Sequence, residues 1–270
     1  MFISIICVFY QIILVIMLQK KGFLMKRFLL ILLPLLFITD ILDAETIEVK
    51  YKVEFGIFGE IGVAKAKLTR DDSSYVIDID LASTGLAKTL SRGQKERHIS
   101  KGHIENGVMV SDLYQIIKHY GSKMTDIVYE IDHEKKEVVK KTKKWKGEKL
   151  YKDKTKIMEN YAKDDLLTLY FNLNSYIRNR TLSKDYRFEA VGAEKQDGFV
   201  DIHIPNDYEL AEYKELLGVD GDWYARAIIH QKIFSSDKGE LLLSVGKDGI
   251  TQKAVLKDLI LFGDVRAFRM

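Results

Sequence analysis

Beyond residue 44, apolar and polar side chains alternate one for one through most of the chain, the pattern of β-strands with one buried face. Ile47, Val49, Tyr51, Val53 and Phe55 alternate with Glu48, Lys50, Lys52 and Glu54. Tyr75, Ile77, Ile79 and Leu81 repeat the pattern beside Asp78 and Asp80. Further strands are expected over 127–131, 186–191, 199–204, 225–234, 241–245 and 254–262. Short polar runs with glycine or aspartate punctuate them as turns: DDSS, KGH, ENG, QDG, DKG and KDG.

Helical periodicity is strong in one place. Leu166, Leu169, Tyr170, Leu173 and Ile177 recur at three- and four-residue steps, with Asp164 or Asp165 placed to cap the start. A shorter helix is expected over 207–217, because Asn206 and Glu209 have capping-box spacing and Gly218 supplies a stop. The expected fold is therefore mainly β: a curved antiparallel sheet or barrel-like fold with one or two helices, forming one domain over residues 45–270.

The first 44 residues break the alternation. A 17-residue apolar run, Phe2–Leu18, is followed by a second one after Met25-Lys26-Arg27 that extends to Ile38. The second has the basic start, apolar stretch and small-residue cut of a signal peptide, with the cut placed after Ala44. Residues 25–44 are thus read as the leader and residues 1–24 as an over-extended start. The alternative makes Phe2–Leu18 a membrane helix near the lower length limit. Lys20, Lys21, Lys26 and Arg27 would then hold the connector inside, so both readings send residue 45 onward outward, to a periplasmic location.

Of the 42 lysines and arginines, four lie in the first 44 residues, as do two of the 39 acidic residues, so the rest of the chain has a net charge of only +1. No global attraction to nucleic acid follows, and none is expected as a partner. The single cysteine, Cys7, lies ahead of residue 45, which leaves the exported part without disulfide, thiolate or cysteine-metal chemistry.

Catalytic patterns are missing. Gly56–Gly62 (GIFGEIG) has the glycine spacing of a phosphate loop, but the alternating VAKAKLT that follows makes it a bend or bulge between strands. No pair among the six histidines has metalloprotease spacing, and there is no nucleophile elbow. Asp201 and His203 share a strand face, an arrangement more often a surface hydrogen bond than a general base. No catalytic residue, cofactor site or metal site is assigned.

Lys135–Lys156 stands out. It holds 11 lysines against Glu137, Glu148 and Asp153, interleaved with Trp145, Leu150 and Tyr151. One reading is a basic hairpin touching lipid headgroups or another polyanion through Lys140, Lys141, Lys143, Lys144 and Trp145. The other is a solvated hairpin whose lysines block edge-to-edge pairing.

The order of YKVEFGIFGEIGVAKA, YVIDIDLASTGLAKTLSRG, ERHISKGHIENGVMVSDLY, IVYEIDHEKKEVV, DDLLTLYFNL and VGKDGITQKAVLKDLILFGDVRA resembles the exported bacterial family called domain of unknown function 3108, over nearly all of residues 47–268. The resemblance implies a periplasmic, mostly antiparallel β protein and transfers no catalytic motif. Three functions fit, in order of preference. The first is a binding or carrier module for a lipid-like or other apolar ligand, with contact to a membrane surface. The second is an envelope structural or interaction protein, and the third is a hydrolase.

Overall fold

The computed structural model describes residues 44–194, 197–230, 238–257 and 264–270. The leader, and the parts of two expected strands over 231–234 and 258–262, lie outside the described residues. The strands are β1 (Glu45–Phe55), β2 (Glu60–Arg70), β3 (Ser74–Ser83), β4 (Lys95–Glu105), β5 (Val108–Tyr120), β6 (Lys123–Asp132), β7 (Glu137–Lys146), β8 (Lys149–Ile157), β9 (Lys184–Glu189), β10 (Phe199–Ile204), β11 (Trp223–His230), β12 (Lys238–Val245), β13 (Thr251–Leu256) and β14 (Val265–Arg269).

All fourteen join one antiparallel sheet in the order β8-β7-β6-β5-β4-β3-β2-β1-β14-β13-β12-β11-β10-β9. The chain meanders from β1 out to one edge, crosses to the other edge, and meanders back until β14 pairs with β1. The crossing segment carries α2 (Leu166–Tyr176); α1 (Gly85–Leu90) and α3 (Asp207–Leu217) complete the helices. Among the described residues no helix is long and apolar enough to cross a membrane.

The expected fold class is what is observed, with the sheet open and three α-helices among the described residues in place of one or two. Helix α3 has the anticipated capping box: Asn206 and Glu209 bond each other's backbone N–H, and Gly218 stands at the C-cap. The Gly56–Gly62 segment is a short 3-10 turn followed by a register shift opposite Val53 and Glu54, the expected bend and bulge. One expected turn is wrong. Lys101-Gly102-His103 lies inside β4, where a bulge breaks the register with β5. A Cβ on Gly102 would sit 1.8 Å from the Val110 carbonyl oxygen, so this glycine serves close backbone approach and not chain reversal.

The sheet curls because twist accumulates over fourteen strands. Its inner face and α2 form one core that includes Tyr51, Tyr75, Tyr114, Tyr129, Leu167 and Trp223, all buried. Helix α2 is tied to both halves of the sheet. Its Thr168 hydroxyl takes a hydrogen bond from Tyr75 of β3 at 2.7 Å, while Tyr170 donates to Thr251 of β13 at 2.9 Å. Among the described residues, side chains and α2 thus pack together on the inner face of the sheet.

The two sheet ends meet without pairing. Tyr129 of β6 and Lys140 of β7 both bond Glu194, which follows β9, at 2.6 and 2.7 Å. Asn160, just past β8, donates to the Asp197 carbonyl at 2.9 Å. A seam thus remains where a closed barrel would have its last ladder.

Candidate functional site

Three polar constellations lie in or beside the core. The innermost surrounds Asp165, which is fully buried. Its Oδ1 caps α2 by accepting from the backbone N–H groups of Leu167 and Thr168. Its Oδ2 accepts from Ser100, Ser111 and Thr168 hydroxyls, which come from β4, β5 and α2 itself. All the surrounding donors are used, which makes this a structural lock. Asp164 accepts from Asn172 and Tyr176, both at 2.8 Å, yet burial pushes its carboxyl up to about 6.

The second constellation runs from β4 to the seam. Glu96 accepts from Lys118 at 2.8 Å and from His98 Nε2 at 3.2 Å, and His98 Nδ1 lies 2.9 Å from the Tyr114 hydroxyl. Burial holds the His98 imidazole below its usual range, so Nε2 donates to Glu96 and Nδ1 accepts from Tyr114. Burial pushes Glu96 upward, but Lys118 and His98 outweigh it and keep the carboxyl below its ordinary value. Tyr114 stacks on Tyr129 with ring centroids 5.7 Å apart, and Tyr129 reaches Glu194.

At the seam, a cleft of about 380 Å³ opens between 156–160 on one side and 190–194 with Asp197 and Gly198 on the other. Its floor is Tyr129, Val138, Met158, Ala190 and Val191, and its rim is Lys156, Asn160 and Glu194. The volume lies in the range of small-molecule sites.

The cleft continues onto one face of the β5–β8 flap, whose composition follows from register. Four cross-strand rows lie on the Tyr129 face: Tyr114-Tyr129-Lys140-Lys156, Ile116-Ile127-Thr142-Lys154, Lys118-Thr125-Lys144-Lys152 and Tyr120-Lys123-Lys146-Lys149. In the two rows nearest the cleft, aromatic and aliphatic residues on β5 and β6 give way to lysines and Thr142 on β7 and β8, and the two outer rows carry lysine on β5 or β6 as well. Lys140–Lys156, Lys144–Lys152 and Lys146–Lys149 stand directly opposite each other, and like charges in that position destabilise a sheet. Lys144, Lys146, Lys149, Lys152 and Lys154 form no ion pair with a described residue. The opposite face is balanced: Lys141 pairs with Glu130 at 2.6 Å and Lys143 approaches Asp153 at 3.9 Å.

The five residues expected to act together are therefore split by the pleat. Lys140 and Lys144 face the cleft side, whereas Lys141, Lys143 and Trp145 face the other. Near the tip, Leu150 and Tyr151 are exposed. Asp201 and His203 do not join: Asp201 takes Arg187, and His203 sits between Asp185 and Glu209 at 2.8 and 2.9 Å. A further cluster, His103, Asp112 and His133, brings three potential metal-ligating atoms within 4.8 Å of one another. Linear spacing concealed it, because its members come from β4, β5 and the turn after β6.

No family model matches the chain, and no curated protein matches it. Among solved structures it is similar to the crystal structure of a β-barrel-like protein of domain of unknown function DUF1849 from Brucella abortus. That likeness has a TM-score of 0.45 and 10% identity, covering 83% of this chain and 94% of that one.

Proposed function

We propose that this protein binds an anionic amphiphile, with the apolar part in the seam cleft and the charged group on the lysine face that continues from it. The observation that carries the reading is the lysine array on the cleft-side face of β7 and β8: Lys140 and Lys156 meet Glu194 and Glu159, but Lys144, Lys146, Lys149, Lys152 and Lys154 meet no acid among the described residues, while Lys141 and Lys143 on the reverse face are paired. Repulsion between facing cations is a standing cost that an anionic ligand relieves. The apolar cleft floor and the Ile116–Ile127 pair supply a surface for a hydrocarbon chain beside those charges. An exported, periplasmic setting and kinship with domain of unknown function 3108 belong to the same proposal, since envelope lipids are the amphiphiles at hand there. In this reading the ligand lies at the seam, where the described residues open a cleft.

Calorimetric titration with a single-chain lysolipid below its micelle concentration tests this. Lysophosphatidylglycerol is expected to bind at least tenfold more tightly than zwitterionic lysophosphatidylcholine, because each near-surface lysine contributes up to about 1 kcal/mol toward an anionic headgroup. Met158→Trp, which fills the cleft floor, is expected to weaken both. Equal affinity for the two lipids, or no binding of either, would overturn the proposal.

A further inference from the structure

On the β4–β5 hairpin, three side chains from separate elements converge for a reason visible in the backbone. The register places Lys101 opposite Leu113 and Gly102 opposite Ser111, so Asp112 is the extra residue of a bulge. That bulge leaves Ser111 turned inward to Asp165 and turns Asp112 outward, beside His103. His133, just after β6, swings over the same spot.

The resulting geometry is compact. His103 Nδ1 lies 2.9 Å from Asp112 Oδ1, and His133 Nε2 lies 3.2 Å from that same oxygen. A tetrahedral metal with bonds of about 2.05 Å holds its donors roughly 3.3 Å apart. The far nitrogen of His133, Nδ1, is 2.8 Å from the Tyr161 hydroxyl. Nε2 also lies 3.0 Å from the Ser111 carbonyl, which can only accept, so without an ion His133 donates from Nε2 while Nδ1 accepts from Tyr161. An ion on Nε2 takes the place of that proton, and the ring then carries its proton on Nδ1 and donates it to the Tyr161 oxygen, the outer partner that metal-bound imidazoles use. The rings of His103 and His133 meet edge to face with centroids 5.6 Å apart, and the three donor atoms lie within 4.8 Å of one another, so small side-chain movements bring them around one ion.

From this geometry we infer that His103, Asp112 and His133 form a binding site for a divalent transition metal of the zinc class, held by two imidazoles and one carboxylate. Imidazole donors favour zinc, copper and nickel over magnesium and calcium. Three protein ligands leave a coordination position open to water or to an outside ligand. The side chains of His103 and Asp112 are 44% and 47% exposed, so an ion can enter from solvent.

Titration of the purified protein with zinc chloride tests the site. One zinc ion per chain is expected, with micromolar or tighter affinity, and no heat from millimolar magnesium. His103→Gln and Asp112→Asn are each expected to weaken binding at least tenfold, and Tyr161→Phe about tenfold through loss of the outer partner. Imidazole nitrogen NMR on the wild-type chain provides a readout that needs no variant. Zinc is expected to shift the His103 and His133 signals and leave buried His98 unchanged. Absence of zinc binding, variants that bind like wild type, equal binding of magnesium, or shifts confined to His203 beside Asp185 and Glu209 would each overturn the inference.

Discussion

The Asp164–Asp165 pair shows how neighbouring carboxylates acquire different tasks from their partners. Asp165 receives two backbone and three hydroxyl donors and anchors α2 to β4 and β5. Asp164 has two side-chain donors, Asn172 and Tyr176, and burial dominates, lifting its carboxyl to about 6. The unfolded value is about 4. Below pH 4 both states are protonated and the group costs nothing. As pH rises toward 6 the unfolded chain ionises first, and folding then carries a penalty that reaches about 3 kcal/mol by pH 7. Asp164→Asn removes that titration. Urea unfolding at pH 3.5, 5 and 7 is expected to show the variant gaining stability relative to wild type as pH rises, by up to about 3 kcal/mol. A difference independent of pH would contradict the assignment. The sequence marked both aspartates as helix caps. Which one caps depends on Ser100 and Ser111, more than fifty residues away, so local spacing could not separate them.

Among the elements, those governed by neighbours in sequence were legible. The capping box of α3 and its Gly218 stop involve contacts within a few residues, as does the bulge at Gly59–Gly62. Strand β4 was obscured because Gly102 resembles a turn residue. Its real constraint is the Val110 carbonyl on the adjacent strand, which only pairing reveals. Gly102→Ala is expected to lower stability by about 2–4 kcal/mol in a urea titration, since the displaced atom is backbone and cannot rotate away. A loss under about 0.5 kcal/mol would show that the two strands separate easily at this bulge. The same bulge presents Asp112 to His103, so the candidate metal cluster was invisible for the same reason.

Across the whole molecule, the lysine-rich segment was evident from composition, but its division into two faces was not. Alternation puts Lys140 and Lys144 on the cleft side and Lys141 and Lys143 on the other, and the acids that neutralise the latter come from β6 and β8. The seam cleft was equally hidden, because it joins residues near 129, 158 and 191 only after the sheet has curled. Edge protection by lysine requires charge on β8 and is indifferent to the face. Amphiphile binding requires it on the cleft face. Two charge-matched variants separate these readings in co-sedimentation with vesicles containing phosphatidylglycerol at low salt. Replacing Lys144 and Lys152 with glutamine removes one facing pair from the cleft side, and replacing Lys141 and Lys143 removes the same charge from the reverse side. Exposed lysines contribute little to stability, so both variants are expected to stay folded. The account predicts that the cleft-side variant loses most vesicle binding, that the reverse-side variant retains it, and that wild-type binding fades as salt rises from 0.1 M toward 1 M and the screening length falls from about 10 Å to about 3 Å. Equal loss in both variants, or wild-type protein that ignores the vesicles at low salt, would contradict it.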